Sequence, residues 1–283
     1  MLSVGPILGP GTVDDLIADA RLLGRKSSQR NVKDWQDLGL LDYPAPGAGL
    51  GRGRGREKDR YSVNQRKLFR ELMRQRREGG RVAALAGIPV YLWAYWGDQY
   101  VPLSQTRRAM RTFVETFKGS SRDRAREVAR EIVGQLADPR ATAKSRQEAI
   151  TLLSQAVHSG SGVDGDLFDV LVNVYDPLSE GRLAGPPGMP MDVTVISRNA
   201  IVREQAVRAL IDPSDPVPDE AFESARQWMR GALRDYLSVR PELAAAAGEM
   251  SRFIQEPTMQ QIAQDSCSTL TTLIGLELQR KQT

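Results

Sequence analysis

The chain has 283 residues, of which 41% are hydrophobic and 26% charged, and its net charge is +4. This composition is typical of a folded globular protein of one or two domains and excludes wholesale disorder. A single cysteine and a single histidine exclude a disulfide framework and a zinc site built from His and Cys ligands.

Enzymatic, metal-dependent and membrane-spanning classes find no support in the sequence. The isolated polar groups have structural interpretations: His158 at a helix C-terminus, Cys267 in a core and Asp164 at a helix N-terminus. Apolar runs are too short for a membrane helix, and the first residues lack the basic start of a signal peptide. We therefore expect a non-enzymatic cytoplasmic protein without metal or cofactor.

Positive charge is concentrated near the N-terminus. Residues 1–82 contain 17 Lys and Arg against 10 Asp and Glu, a net charge of +7, whereas residues 83–283 carry −3. Arginine outnumbers lysine 32 to 7, which suits the forked recognition of phosphate. The asymmetry predicts a polyanionic partner for the first segment, and a merely solvated surface is the alternative.

Two helices separated by a basic turn begin the chain. An apolar face and the cap Thr12 predict the first helix over 12–24. Ser27 or Ser28 caps a second helix over 28–38, which is polar except for a narrow apolar stripe. That stripe consists of Val32, Trp35 and Leu38. Such a stripe is typical of a short helix that docks on a small core and exposes its other faces.

A glycine-rich basic segment follows the second helix. Residues 44–59 contain seven glycines or prolines, and basic side chains recur at every second position up to residue 60. These basic residues are Arg52, Arg54, Arg56, Lys58 and Arg60. Glycine between arginines disfavours a helix, and an extended ribbon would place all five charges on one side. We expect a two-stranded wing closed by Tyr61, with a disordered basic loop as the alternative, and then a third helix over 62–78.

Beyond residue 82 the pattern is almost entirely helical. After a break at 87–89, residues 90–96 form the most apolar and aromatic stretch and predict a buried hinge or a subunit interface. Strand signals are almost absent from Leu103 onward. Helices are predicted over roughly 143–158, 165–175, 197–211, 218–238, 242–254 and 258–280. Helices that end at Asp-Pro recur at intervals of 38 and 36 residues, which leaves a helical repeat open.

The order of helix, turn, polar helix, ribbon and helix is that of a winged helix-turn-helix. The segments 28–35 (SQRNVKDW), 39–41 (GLL) and 60–62 (RYS) also follow a family pattern. On these motifs, residues 12–78 resemble the MerR family of transcription regulators. The resemblance implies that the second helix is a recognition helix with Arg30 and Lys33 exposed, and that Tyr61 lies at the end of the wing beside Arg60.

The chain departs from the family pattern in four respects. Its wing is longer and richer in arginine, and Trp35 stands where the family usually has a tyrosine. Asp34 replaces a second residue that is often aromatic in the family. The residues after 82 do not show the long antiparallel dimerisation helix that is typical of the family. The fold predicted is therefore mainly α: a winged helix-turn-helix with a small two-stranded wing over 1–82, a hinge and connecting helix over 83–118, and an all-α domain over 119–283.

The residue types also fit DNA on physical grounds. Arginine and lysine neutralise phosphates, and side chains near the start of a recognition helix face base edges, where Gln and Asn read adenine and Arg reads guanine. The alternative for Gln29 and Asn31 is a solvated surface. The predicted DNA-binding residues are Lys26, Ser28, Gln29, Arg30, Asn31, Lys33, Arg52, Arg54, Arg56, Lys58, Arg60 and Tyr61.

The sequence thus predicts a sequence-specific DNA-binding protein, namely a bacterial transcription regulator associated with the nucleoid. We expect a homodimer on double-stranded DNA, with a small-molecule or protein effector at the helical domain. One alternative is a DNA-architectural, excisionase-like or plasmid replication or partition factor. The other is a helical adaptor that binds RNA or protein.

Overall fold

The computed structural model describes residues 6–49, 55–76, 82–116, 121–160, 163–175, 193–212, 214, 216–247 and 258–281. Over these ranges the chain is mainly helical, as predicted, and contains eleven α-helices and one 3-10 turn but no β-strand. The chain divides into two compact units, whereas the sequence predicted three consecutive segments. The first unit comprises residues 1–116 with 226–268, and the second comprises residues 117–225 with 269–283.

The helices are numbered in chain order. The first five are α1 (Val13–Leu22), α2 (Gln29–Asp37), α3 (Val63–Gln75), α4 (Gly87–Trp96) and α5 (Leu103–Val114). The next four are α6 (Ser121–Leu136), α7 (Ala143–Ser159), α8 (Gly165–Tyr175) and α9 (Val193–Ile211). The last two are α10 (Asp219–Ala247) and α11 (Met259–Arg280), and the 3-10 turn spans Val82–Leu85.

The first three helices begin at the caps that the sequence predicts. The backbone nitrogen of Thr12 donates to Asp15 Oδ2 at 2.7 Å at the start of α1. Ser28 and Ser62 each accept, through Oγ, a hydrogen bond from the amide three residues on, at 3.2 and 3.1 Å. Each cap satisfies a donor that the first helical turn leaves without a partner, and so fixes where the helix starts.

A small apolar core lies between α1, α2 and α3. The rings of Trp35 on α2 and Phe69 on α3 lie 5.5 Å apart at an angle of 54°. Other buried members are Leu16, Ala20, Val32, Leu40, Leu41, Leu68, Leu72 and Met73. The predicted apolar stripe of α2 therefore faces the core at Val32 and Trp35, and its polar side is left outside.

A buried ion cluster joins α1 to α3. Asp19 Oδ1 lies 2.6 Å from Arg70 Nη2, and Asp19 Oδ2 lies 3.1 Å from Arg66 Nη2. The carboxylate of Asp19 is only 3% exposed. Because a buried carboxylate needs partners for its charge, these two arginines fix how α1 lies on α3.

The glycine-rich segment does not form the predicted two-stranded wing in the residues that the structure describes. Isolated antiparallel bridges join Ala45 to Arg60 and Gly49 to Arg56, and a further bridge joins Gly11 to Tyr61. Prolines at 44 and 46 lack the N–H that a ladder needs, and the glycines weaken it further. We call residues 43–49 and 55–61 the bridged loop.

Helix α4 begins inside the stretch that the sequence predicts as a break. Pro89 lies in its first turn, where a missing N–H costs no hydrogen bond, so the helix starts at Gly87. The apolar stretch is buried at Trp93, whose indole nitrogen donates to Asp98 Oδ1 at 2.9 Å, while Trp96 is 46% exposed. The prediction of burial therefore holds for one face of α4 only.

Helix α5 packs against the end of α2. Gly39 has a φ of +72°, and a Cβ at this position would collide with the backbone nitrogen of Ala109 on α5. Thr112 Oγ1 donates to the carbonyl of Leu38 at 2.9 Å, and Gln105 Nε2 donates to that of Leu40 at 3.1 Å. These contacts make α5 part of the same packed core as α2.

Helix α10 is continuous where the sequence predicts two helices, over 218–238 and 242–254. It runs through Pro241. A proline inside a helix removes one backbone hydrogen bond and can bend the helix without ending it. The residues of the second predicted helix beyond 247 lie outside the described ranges. Nearer the start of α10, Arg226 pairs with Asp98 at 3.2 Å, and its guanidinium lies over the ring of Trp93 on α4.

The second unit has its own core among α6, α7, α8 and α9. Its buried residues include Ala125, Ala129, Val133, Ala149, Leu153, Leu167, Leu171, Val174, Tyr175 and Ile201. Asp164 Oδ1 accepts from the backbone nitrogen of Leu167 at 2.9 Å, so the predicted N-terminal role of Asp164 is confirmed. Cys267, which belongs to the first unit, is fully buried, as predicted for a core position, and burial raises the pKa of its thiol.

Candidate nucleic-acid interface

The outer side of α2 carries the polar residues that the sequence assigned to DNA. The side chains of Gln29, Arg30 and Lys33 are exposed, while the opposite side of the helix is buried in the core. No ion pair joins Arg30 or Lys33 to another described residue. These cations are therefore free to meet an anion without first breaking a contact within the described part of the protein.

Two of the predicted DNA-binding residues, Ser28 and Asn31, form the cap of α2. Ser28 Oγ accepts from the backbone nitrogen of Asn31 and donates to Asn31 Oδ1 at 3.1 Å. Asn31 is also half-buried. This arrangement fixes the start of the helix, while the neighbouring side chains of Gln29 and Arg30 stay exposed.

A groove of about 680 Å³ lies between α2, the start of α1 and the bridged loop. The structure brings together five predicted residues around it: Gln29, Lys33, Arg56, Lys58 and Tyr61. It does not bring Lys26, Arg30 or Arg60 to the lining, although all three are exposed. Arg52 and Arg54 lie outside the described residues.

The cations of the bridged loop face carboxylates. Lys58 Nζ lies 2.7 Å from Asp14 Oδ2, on α1, and Arg56 pairs with Asp59 within the loop. A hydrogen bond from Lys58 holds the pKa of the Asp14 carboxyl below its ordinary value.

A third pair and a backbone contact complete this pattern. Arg60 Nη2 lies 3.7 Å from Glu57 Oε2. The backbone nitrogen of Gly47 donates to Asp59 and, more than the neighbouring Arg56, lowers the pKa of its carboxyl. Because the pairs of the loop are exposed, each contributes little to stability and can exchange partners in water.

Tyr61 is a structural residue of the interface. Its ring is only 4% exposed, and its hydroxyl accepts a hydrogen bond from Gln36 Nε2, on α2, at 2.7 Å. Burial raises the pKa of this hydroxyl to about 12. Its backbone nitrogen and carbonyl also pair with Gly11. Tyr61 therefore attaches the end of the bridged loop to α2 and to the segment before α1.

Sequence reasoning did not identify Arg108 of α5. Its Nε donates to the carbonyl of Gln36 at 3.1 Å, its Nη2 lies 3.0 Å from Asp42 Oδ1, and its guanidinium lies 4.5 Å from the centre of the Tyr43 ring. One side chain thus joins the end of α2 to the start of the bridged loop. No local sequence pattern predicts this contact, because 72 residues separate Arg108 from Gln36.

The second unit contains a polar cluster around Glu204 of α9. Its carboxylate lies 2.8 Å from Arg124 Nη2 and accepts from Ser121 Oγ at 3.0 Å. His158, in the last turn of α7 as predicted, lies 3.4 Å from Ser121 Oγ and from Arg208 Nη2. The charges of this cluster are satisfied by one another, so it stabilises the packing of α6, α7 and α9.

No family model, no curated protein and no solved structure matches this chain. None of the helices in the described ranges combines the length and the apolar character needed to cross a membrane. The same ranges contain no group of three His, Cys, Asp or Glu side chains that could hold a metal ion. The geometry around α2 is therefore the feature from which a function is inferred.

Proposed function

We propose that the chain is a sequence-specific DNA-binding protein in which α2 enters the major groove of double-stranded DNA. The observation that carries this proposal is the outer side of α2, where exposed Arg30 and Lys33 have no ion-pair partner among the described residues. A short helix that is anchored by a buried tryptophan and follows another helix after a short connection is the arrangement that major-groove readers use.

Base reading falls to the first turns of α2. Gln29 and Arg30 are exposed at its start, and these side chains pair in two-point fashion with adenine and guanine respectively. Lys33 lies one turn further along, on the wall of the groove beside the bridged loop. In this proposal Lys33 contacts the backbone phosphate next to the bases that Gln29 and Arg30 read.

In this proposal the bridged loop contacts the DNA backbone, as the wing does in a winged helix-turn-helix. Its cations Arg56, Lys58 and Arg60 are exposed and held only by surface ion pairs, which phosphate oxygens can replace. The loop lies across the groove from α2, so a duplex seated on α2 would meet it along one strand. Lys26, exposed in the turn before α2, supplies a further phosphate contact.

The likeness to MerR regulators extends this proposal to biological role. A bacterial transcription regulator acting at the nucleoid would bind as a homodimer, and its second unit would bind an effector or a partner protein. The support for this wider role is the motif order of residues 12–78 and the helical character of both units.

Selection of bound sequences from a random duplex pool tests the proposal. We expect the full-length protein to enrich one short motif, and Arg30→Ala to lose about 1–3 kcal/mol of binding free energy on that motif and to relax the choice of one base. Arg126→Ala is the matched control, since Arg126 is an exposed arginine on α6 in the second unit.

The enriched sequences also separate the rival functions. A short inverted repeat supports a regulator, and direct repeats support an architectural or replication factor. Binding to structured RNA without binding to duplex DNA would exclude the proposal in favour of an adaptor. Equal losses for Arg30→Ala and Arg126→Ala would show that α2 does not read bases.

A further inference from the structure

The carboxylate of Asp14 lies in the groove with two predicted DNA contacts from different parts of the chain, Lys58 and Gln29. It accepts a hydrogen bond from Lys58 Nζ, in the bridged loop, at 2.7 Å. Lys58 and, to a smaller extent, the Gln29 side chain at the start of α2 lower the pKa of this carboxyl. All three residues line the groove beside α2. Asp14 thus occupies the place where an anion would contact both the loop and the recognition helix.

The pair is arranged differently from the other two ion pairs of the bridged loop. Arg56 and Arg60 find their carboxylates three residues away, within the loop. The carboxylate that faces Lys58 is 44 residues away and belongs to α1. The two side chains are 75% and 52% exposed, so water and other anions reach both of them.

We propose that Asp14 is a positioning residue that stands in for a DNA phosphate: it holds Lys58 beside Gln29 in the free protein and gives up Lys58 to a backbone phosphate on binding. This role of Asp14 rests on the proposed function, and it means that Asp14 controls when Lys58 is available to DNA. The exchange is a replacement of one anion by another at the same ammonium group, with no covalent step.

This exchange has two consequences for affinity. After Lys58 turns to phosphate, the charge of Asp14 remains at the edge of the groove and repels the duplex. The repulsion applies to every sequence, so Asp14 weakens binding to any duplex that offers backbone contacts alone. A target site offsets it through base contacts of Gln29 and Arg30.

The second consequence concerns salt. Each cation that neutralises a phosphate releases condensed counterions, which steepens the fall of affinity with salt. Lys58 is already neutralised by Asp14 in the free protein, and so its contribution to the salt dependence is reduced. Freeing Lys58 should therefore steepen the salt dependence as well as strengthen binding.

The test measures binding of the full-length chain to a short random-sequence duplex at several salt concentrations. We expect Asp14→Asn to tighten binding about three- to tenfold at low salt and to steepen the slope of log affinity against log salt by about 0.9. Asp14→Glu should keep the wild-type slope. Asp37→Asn is the matched control, because Asp37 is an exposed carboxylate at the end of α2 away from the groove lining.

A second background separates displacement of Asp14 from a general change of charge. In a Lys58→Ala protein, Asp14→Asn should no longer steepen the salt slope, since the cation that it would free is gone. A slope that steepens equally in both backgrounds would overturn the inference, as would identical results for Asp14→Asn and Asp37→Asn. If neither wild type nor any variant binds duplex DNA, the proposed function fails and takes the inference with it.

Discussion

Two carboxylates of α1, five residues apart, both pair with cations, and their surroundings differ. Asp19 is 3% exposed between Arg66 and Arg70, whereas Asp14 is 52% exposed against Lys58. The first pair cannot trade partners without leaving charges buried, while the second can trade with any anion in solution. The same chemistry therefore builds the scaffold on one side of α1 and an exchangeable contact on the other.

The largest expected effect falls on the buried side. Asp19→Asn leaves two arginine side chains without their carboxylate, and we expect it to lower the free energy of unfolding by about 3–5 kcal/mol. Asp14→Asn removes the same charge from the same helix and should leave unfolding by denaturant nearly unchanged. Similar losses for both variants, measured in urea, would break the comparison.

A second variant probes the fixed end of α2. Gly39→Ala combines a left-handed backbone with a collision against Ala109, and we expect a loss of about 3 kcal/mol or more in unfolding free energy. Gly24→Ala is the matched control, since Gly24 has a φ of +68° with nothing near its Cβ. It should lose about 1–2 kcal/mol, the cost of the backbone conformation alone. Equal losses would mean that α5 yields to the added methyl group.

The hydroxyl of Tyr61 tests a contact of intermediate strength. Tyr61→Phe leaves the buried amide of Gln36 without its acceptor and should lower the unfolding free energy by about 1 kcal/mol near neutral pH. Tyr43→Phe, at a side chain that is half exposed, should change it by less than about 0.5 kcal/mol.

The same pair of proteins gives a pH dependence. The pKa of Tyr61 is about 12 in the folded state and 10.0 when unperturbed, so its contribution to stability is complete below pH 10.0 and is lost as the pH rises through 12. The difference in unfolding free energy between wild type and Tyr61→Phe should therefore shrink over that window. A constant difference between pH 10.0 and 12 would show that the Tyr61 hydroxyl ionises as readily in the folded protein as in the unfolded one.

The smallest effect is expected at the exposed side. Glu57→Gln removes the partner of Arg60, at 3.7 Å in a surface pair, and should change the unfolding free energy by less than about 0.5 kcal/mol. A loss comparable to that of Tyr61→Phe would show that the bridged loop is held together by its charges. Thermal unfolding of both variants, in low and high salt, separates these outcomes.

Local signals in the sequence are sufficient for the first three helices. Thr12, Ser28 and Ser62 announce the starts of α1, α2 and α3 because a cap acts within its own turn. The apolar stripe of α2 likewise predicts which side of that helix is buried. Prolines led to wrong helix boundaries, because a proline does not always end a helix. Pro89 lies in the first turn of α4, and Pro241 lies within α10.

Contacts between distant segments could not be predicted in this way. The carboxylates of Asp14 and Asp19 face opposite surroundings, although both are acidic residues of one short helix. The predicted wing shows the same limit, since the period of two in its arginines indicates an extended ribbon but carries no information on pairing. The alternation of basic residues up to Arg60 likewise gives no sign that Lys58 pairs with Asp14 of α1.

The hold of α5 on the rear of α2 has an evolutionary consequence. Gln105, Arg108 and Thr112 bind the last carbonyls of α2 and the turn after it, and Trp35 fills the core beneath. The outward residues at 29, 30 and 33 take no part in that hold. If α2 reads bases as proposed, residues 29, 30 and 33 could therefore change during evolution to suit a new DNA site without disturbing the packing behind them.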